Sequence, residues 1–127
     1  MVVIIEAYEQ MYGGLHGIED IEIMKVKDIS EAMEIGRQMS YDLIQSYGLE
    51  EIYLRYEDLE DMDDYEFSEC LDEIVEENLG YNAYRIIMSE SEEEKLSDKD
   101  LRQWTENYYN DRDEFKMKHQ ISDSLEV

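Results

Sequence analysis

The chain has 127 residues, of which 43% are apolar, and a formal charge of −24 from 35 acidic and 11 basic side chains. Length and apolar content suffice for a single domain, 1–127, with a packed core, which excludes a wholly disordered acidic tail. Charge repulsion disfavours direct binding to DNA, RNA or an anionic membrane, so a strong partner should be basic. The single cysteine excludes an internal disulfide. The start MVVIIEAYE has neither a basic region nor a long apolar run, so we expect no membrane span and a location in the reducing cytoplasm.

The N-terminal residues predict a β-hairpin. The first strand, Val2 to Tyr8, is β-branched and apolar. A turn signal follows at Gly13-Gly14, and the run from Ile18 to Val26 alternates loosely between apolar and polar residues. Two such runs around a glycine turn are typical of antiparallel neighbours.

A helix is predicted next, and it ends at Gly48. Its N-terminus is capped either by Asp28, which can close a capping box with Glu31, or by Ser30. Gly36 lies inside the helix and indicates close packing on the sheet.

The middle of the chain predicts a third strand, an acidic loop, a second helix and a fourth strand. The third strand is EIYLRY, 51–56, and the fourth is NAYRIIM, 82–88. Asp63 or Asp64 caps the helix between them, which ends at Gly80. Its apolar stripe has helical spacing and comprises Phe67, Cys70, Leu71, Ile74 and Val75.

The C-terminal third predicts an acidic linker, 89–96, and then a C-terminal helix followed by a tail, together 97–127. Ser97 and Asp100 form a capping pattern at the start of that helix. Its apolar face contains Leu101, Trp104 and Tyr108. From Asn110 onward three alternatives stay open: the tail continues the helix, docks through Phe115 and Ile121, or is mobile.

Together the elements run ββαβαβα, which predicts an α+β fold. We expect a roughly four-stranded, mostly antiparallel sheet covered by helices on one face. The core of this fold is expected within 1–88, with the C-terminal helix and tail outside it.

The negative charge is concentrated in the middle of the chain. Residues 49–96 contain 18 acidic and 3 basic side chains, and residues 56–78 contain twelve carboxylates and no Lys, Arg or His. Within the second helix six carboxylates fall opposite the apolar stripe, so they should point to solvent. These six are Glu66, Glu69, Asp72, Glu73, Glu76 and Glu77.

Two alternatives need no partner: the acidic face is only solvated, or it reflects adaptation to high salt. Against simple solvation, none of the six carboxylates has a Lys or Arg four residues later, although such pairs stabilise exposed helices. Tyrosine suits an interface because it combines apolar area with a polar tip. Tyr53 and Tyr65 are the better exposed candidates, whereas Tyr56 and one of Tyr81 or Tyr84 should face inward.

No catalytic or metal site is predicted, and no cofactor is expected. His16 and His119 read as surface histidines, and Cys70 as a small buried apolar residue. The run YEDLEDMDDYEF lacks the central glycine and spaced ligands of a calcium loop, so only diffuse binding of Mg²⁺ or Ca²⁺ is expected.

Extreme acidity focused on one loop and helix, interleaved with tyrosines, resembles the DNA-mimic proteins of phages and mobile elements, including acidic anti-CRISPR inhibitors. The resemblance is compositional and covers chiefly residues 50–96. It implies a bacterial host and an inhibitor that occupies the nucleic-acid channel of a CRISPR effector, a nuclease or another basic DNA-binding enzyme. In such an inhibitor the carboxylates would take the place of phosphates, and Tyr65 would be a contact anchor. The residues that would contact the partner are Glu57, Asp58, Glu60, Asp61, Asp63, Asp64, Tyr65, Glu66, Glu69, Asp72, Glu73, Glu76 and Glu77.

Two other functions fit the same physics. One is an immunity-type inhibitor of a nuclease toxin. The other is an acidic adaptor or scaffold that binds a basic protein without inhibiting it.

Overall fold

The computed structural model describes residues 1–9, 19–45 and 63–124. The predicted third strand, 51–56, and the turn at Gly13-Gly14 lie outside these ranges. The described strands are β1 (Val2–Glu9), β2 (Glu19–Lys25), β3 (Leu79–Ile86) and β4 (Ile121–Ser124). The described helices are α1 (Ile29–Leu43), α2 (Asp64–Glu77), α3 (Glu90–Lys95), α4 (Asp98–Asn110) and α5 (Arg112–Lys118).

The strands form one open antiparallel sheet in the order β2-β1-β3-β4, which confirms the predicted α+β class. Strand β1 is internal and seven of its eight residues are buried, which explains its nearly continuous apolar run VVIIEAYE. The first two predicted strands are neighbours in this sheet, as expected. The fourth sheet strand is the C-terminal β4, and none of the three alternatives that the sequence analysis left open for the tail was a strand.

Helices pack on β1 from two sides, whereas cover on one face was expected. On one side Val2 and Ile4 share an apolar cluster with Leu101 and Tyr108 of α4 and Phe115 of α5. Because side chains alternate along a strand, Ile5 points the other way.

On that second side α1 approaches closely. A Cβ atom built on Gly36 would lie 3.3 Å from the Cγ2 atom of Ile5 and 3.2 Å from the Cβ atom of Tyr81. Gly36 therefore has the close packing on the sheet that its position predicted.

The C-terminal region differs most from the predictions. Residues 90–95 of the expected linker form helix α3, which starts with a capping box between Ser89 and Glu92. The tail docks through Phe115, which is buried, and through Ile121, which packs against the same cluster. Of the three alternatives for the tail, docking is the one observed, and the core extends well beyond residue 88.

Helix α4 also covers the outer edge of β2. The hydroxyl of Tyr109 accepts a hydrogen bond from the Ile21 backbone N–H at 2.8 Å. The Oγ1 atom of Thr105 accepts one from the Ile23 N–H at 3.1 Å. Pairing these groups removes donors that an exposed strand edge would offer to another chain.

The chain divides into two compact units by its internal contacts. Unit 1 comprises Met1–Glu6, Ile21–Gly36 and Tyr81–Val127, and unit 2 comprises Ala7–Asp20 and Arg37–Gly80. In unit 2 the buried Ser40 hydroxyl donates to the Tyr8 carbonyl at 2.7 Å and accepts from the Gly80 N–H at 2.9 Å. This one side chain satisfies backbone groups of both β1 and β3.

Candidate partner-binding face

Helix α2 begins where the sequence predicted, and Asp63 rather than Asp64 is its cap. The Asp63 carboxylate accepts a hydrogen bond from the Glu66 N–H at 2.8 Å. Asp64 and Glu66 lie in the first turn, where negative charge is stabilised by the helix dipole. The N-terminal acids of α2 therefore also stabilise the helix.

The six carboxylates that fall opposite the apolar stripe of α2 point to solvent, as predicted. Val75 is fully buried and Cys70 is half-buried, which places the inward side of the helix. The exposed carboxylates, here called the acidic face, are Asp64, Glu66, Glu69, Asp72, Glu73, Glu76 and Glu77. Fourteen residues at about 1.5 Å each span about 21 Å, or one carboxylate per about 3 Å of helix axis.

Tyr65 stands beside this acidic face and is 72% exposed. A tyrosine so exposed contributes little to a core, yet its ring can bury apolar area against another molecule. The structure thus confirms the predicted exposure of Tyr65. Its contact with a partner stays a prediction.

One carboxylate of the acidic face has a partner that the sequence analysis missed. Arg37 of α1 forms an ion pair with Glu76, and both side chains are about half exposed. The two residues are 39 positions apart, so spacing along one helix could not reveal the pair. Glu76 is therefore less available to a basic partner than its neighbours.

Unit 2 contains most of the charge excess. By sequence its residues include 18 carboxylates and only two basic side chains, Arg37 and Arg55. Four of the predicted contact residues, Glu57, Asp58, Glu60 and Asp61, lie outside the described residues, as does Tyr53. The described part of the predicted site is thus Asp63 and the acidic face with Tyr65.

Unit 1 contains a polar cluster that the sequence did not indicate. Glu6 of β1 is nearly buried, and its carboxylate pairs with the Arg112 guanidinium at 3.1 Å. The Arg112 group also lies 5.8 Å from the centre of the Tyr108 ring. Burial, assisted by the Glu6 charge, raises the pKa of Tyr108. The Tyr108 hydroxyl therefore stays protonated at pH values where an exposed tyrosine would ionise.

His119 is a second departure, because it is half-buried in an aromatic stack rather than a surface residue. Its ring lies 4.2 Å from that of Phe115 and 4.6 Å from that of Trp104, measured between centroids. Burial, with a smaller contribution from Lys118, lowers the pKa of His119. The neutral imidazole is thus the favoured form at pH 7.

The described residues offer no cluster of three His, Cys, Asp or Glu side chains that could hold a metal ion. The chain matches no protein-family model, no curated protein and no solved structure. Within 1–9, 19–45 and 63–124, no helix has the length and apolar character needed to cross a membrane.

Proposed function

We propose that the protein is a stoichiometric inhibitor that presents the acidic face of α2 in place of a nucleic-acid backbone. The partner is a basic nucleic-acid-binding enzyme, such as a CRISPR effector or another bacterial nuclease. The observation that carries the proposal is a capped helix with seven exposed carboxylates, of which one has a basic partner among the described residues.

Charge density supports mimicry rather than general acidity. The acidic face carries one carboxylate per about 3 Å of axis, compared with one phosphate per about 1.7 Å of duplex DNA. A channel lined with Lys and Arg for DNA would be attracted to such a surface. Association at low salt should approach about 10⁸ M⁻¹s⁻¹, and it should slow as salt is added.

Lasting affinity needs buried anchors in addition to charge. Tyr65 is the best described anchor, since 72% of its surface is available for burial. Its position in the first turn of α2 places it beside Asp64 and Glu66. An aromatic ring among carboxylates can pack against an apolar or guanidinium surface between basic side chains.

The test is an affinity capture from bacterial lysate with three forms of the protein. The test variant is Glu69→Lys, Asp72→Lys and Glu73→Lys, which reverses the centre of the acidic face but keeps the cap and the ion-paired Glu76. The control variant is Glu22→Lys, Glu34→Lys and Glu106→Lys, three exposed sites outside α2. Both variants change the formal charge by the same amount.

Mimicry predicts that wild type and control capture the same nucleic-acid enzyme and that duplex DNA competes it away. The test variant should capture little of it. Equal capture by all three forms would refute a role for the acidic face. Capture that DNA does not compete would favour an adaptor or scaffold. If the captured enzyme were a toxin nuclease encoded beside this protein, the immunity reading would replace the anti-CRISPR one.

A further inference from the structure

Unit 1 contains a groove beside Trp104 that the proposed function does not use. Its cavity has a volume of about 620 Å³, within the usual range for sites that bind small molecules. The residues lining this Trp104 groove are Ile86, Ile87, Met88, Leu96 and Trp104 on the apolar side, with Ser89, Glu92, Lys118, His119 and Gln120 on the polar side. Ile87 is 52% exposed, so apolar surface reaches the rim.

The aromatic wall of the groove is held in place from behind. The Trp104 ring lies 5.9 Å from the Phe115 ring in an edge contact, and Phe115 in turn meets the ring of the buried Tyr108 at 5.4 Å. His119 stacks on Phe115 and also contacts Trp104. A wall fixed in this way can accept a flat ring with little loss of side-chain entropy.

A second cavity, of about 340 Å³, shares Trp104, Lys118 and His119 with the first. These three residues therefore line both cavities. Because Lys118 lines the larger cavity, a polar substituent on an apolar ring bound there can contact the Lys118 side chain.

Two charged side chains of opposite sign line the groove, Glu92 and Lys118. The Glu92 carboxylate is already engaged, because it accepts a hydrogen bond from the Ser89 N–H at 2.9 Å in the capping box of α3. Lys118 forms no ion pair with any residue of the described ranges, although Glu114 lies one helical turn before it. The Glu92 carboxylate keeps its negative charge, so an anionic substituent is favoured next to the Lys118 ammonium group and not next to Glu92.

We infer that the Trp104 groove binds a small planar aromatic carboxylate, with the ring against Trp104 and the carboxylate toward Lys118. This site is independent of the acidic face, since its residues all belong to unit 1 and α2 belongs to unit 2. Loss of either function would leave the other standing.

The probes are three compounds with one ring system and different charge: 2-naphthoate, 2-naphthamide and 2-naphthylmethylammonium. Binding is followed by NMR through the indole N–H resonance of Trp104, the only tryptophan of the chain. A ligand of this size at an unoptimised site should bind with a Kd of about 1 mM. We expect the naphthoate to bind more tightly than the amide, and the amide more tightly than the ammonium compound.

Lys118→Gln should remove the preference for the naphthoate, which is about two- to fivefold for an exposed charge pair. The control Lys99→Gln removes an exposed lysine that does not line the groove and should keep the preference. Lys118→Arg should also keep it, which separates loss of charge from loss of fold. The inference is overturned if the Trp104 resonance shows no saturable shift, if the three probes bind equally, or if Lys118→Gln retains the preference.

Discussion

Reversing a single charge in the middle of α2 should make the protein more stable. Glu73 is exposed and has like charges at Glu69, Glu76 and Glu77, which are four, three and four residues away along the helix. Each like-charge pair costs about 0.2–0.5 kcal/mol, and an opposite pair contributes a similar amount. For Glu73→Lys the three changes of sign add to about 1–3 kcal/mol, and solvent screening of exposed groups favours the lower end.

Urea denaturation followed by circular dichroism measures this change without adding salt. A gain of about 1 kcal/mol should raise the midpoint by about 0.5–1 M urea at low ionic strength. Glu73→Gln, which removes repulsion without adding attraction, should give about half of the gain. The gain should shrink at about 1 M NaCl, where charges more than about 3 Å apart are screened. A variant no more stable than wild type at low salt would refute the account of α2 as a helix under mutual repulsion.

Three further changes test the packing and the titration. Ser40→Ala removes two buried hydrogen bonds and should lower the free energy of unfolding by about 2 kcal/mol, whereas the exposed Ser68→Ala should stay within about 0.5 kcal/mol of wild type in the same urea titration. Gly36→Ala should lower it by about 1 kcal/mol, because crowding of Tyr81 and Ile5 costs about 1–3 kcal/mol and exceeds the gain of about 1 kcal/mol in helix propensity; a gain in stability would contradict this packing. Burial lowers the pKa of His119, so the folded state binds fewer protons and stability falls as pH drops through the ordinary histidine value. The melting temperature of His119→Phe should therefore fall less than that of wild type between about pH 7.5 and 5.5. An equal fall in the two proteins would show that burial of His119 in the aromatic stack does not cause the loss of stability at low pH.

Local sequence patterns predicted the helices and strands that have a cap or an apolar pattern within their own residues. The β-branched start predicted β1, and the alternation after Gly14 predicted β2. Asp63 marked the start of one helix, and Ser97 with Asp100 marked the start of another. In the two caps the stabilising hydrogen bond joins residues three positions apart, so the sequence records it directly, whereas β1 and β2 are marked by their apolar pattern.

The C-terminal region was predicted poorly for two different reasons. Strand β4 has the sequence ISDS, which has low strand propensity, and its formation depends on pairing with Tyr84 and Ile86 of β3. Helices α3 and α5 had signals that could have found them: Ser89 with Glu92 and Asp111 with Glu114 both show the spacing of a cap. These segments lack apolar residues at helical spacing, so no helix was predicted there in spite of the caps.

In the candidate sites too, a feature that depends on one element was predicted and features that depend on tertiary contacts were not. The outward direction of the α2 carboxylates followed from one helical period, and it is confirmed for every described member. The Arg37–Glu76 ion pair and the contact of His119 with Trp104 depend on tertiary contacts, whereas Phe115 and His119 are four residues apart at the end of α5. No spacing rule within one element could have predicted the ion pair or the contact with Trp104.

The central claim is that the acidic face and nucleic acid compete for one surface of the partner. The most direct measurement is the anisotropy of a labelled DNA duplex bound to the captured enzyme, titrated with this protein. The account predicts that wild type releases the DNA completely near one equivalent, while the variant Glu69→Lys, Asp72→Lys and Glu73→Lys releases none. A ternary complex in which the enzyme holds both the DNA and the wild-type protein would contradict it.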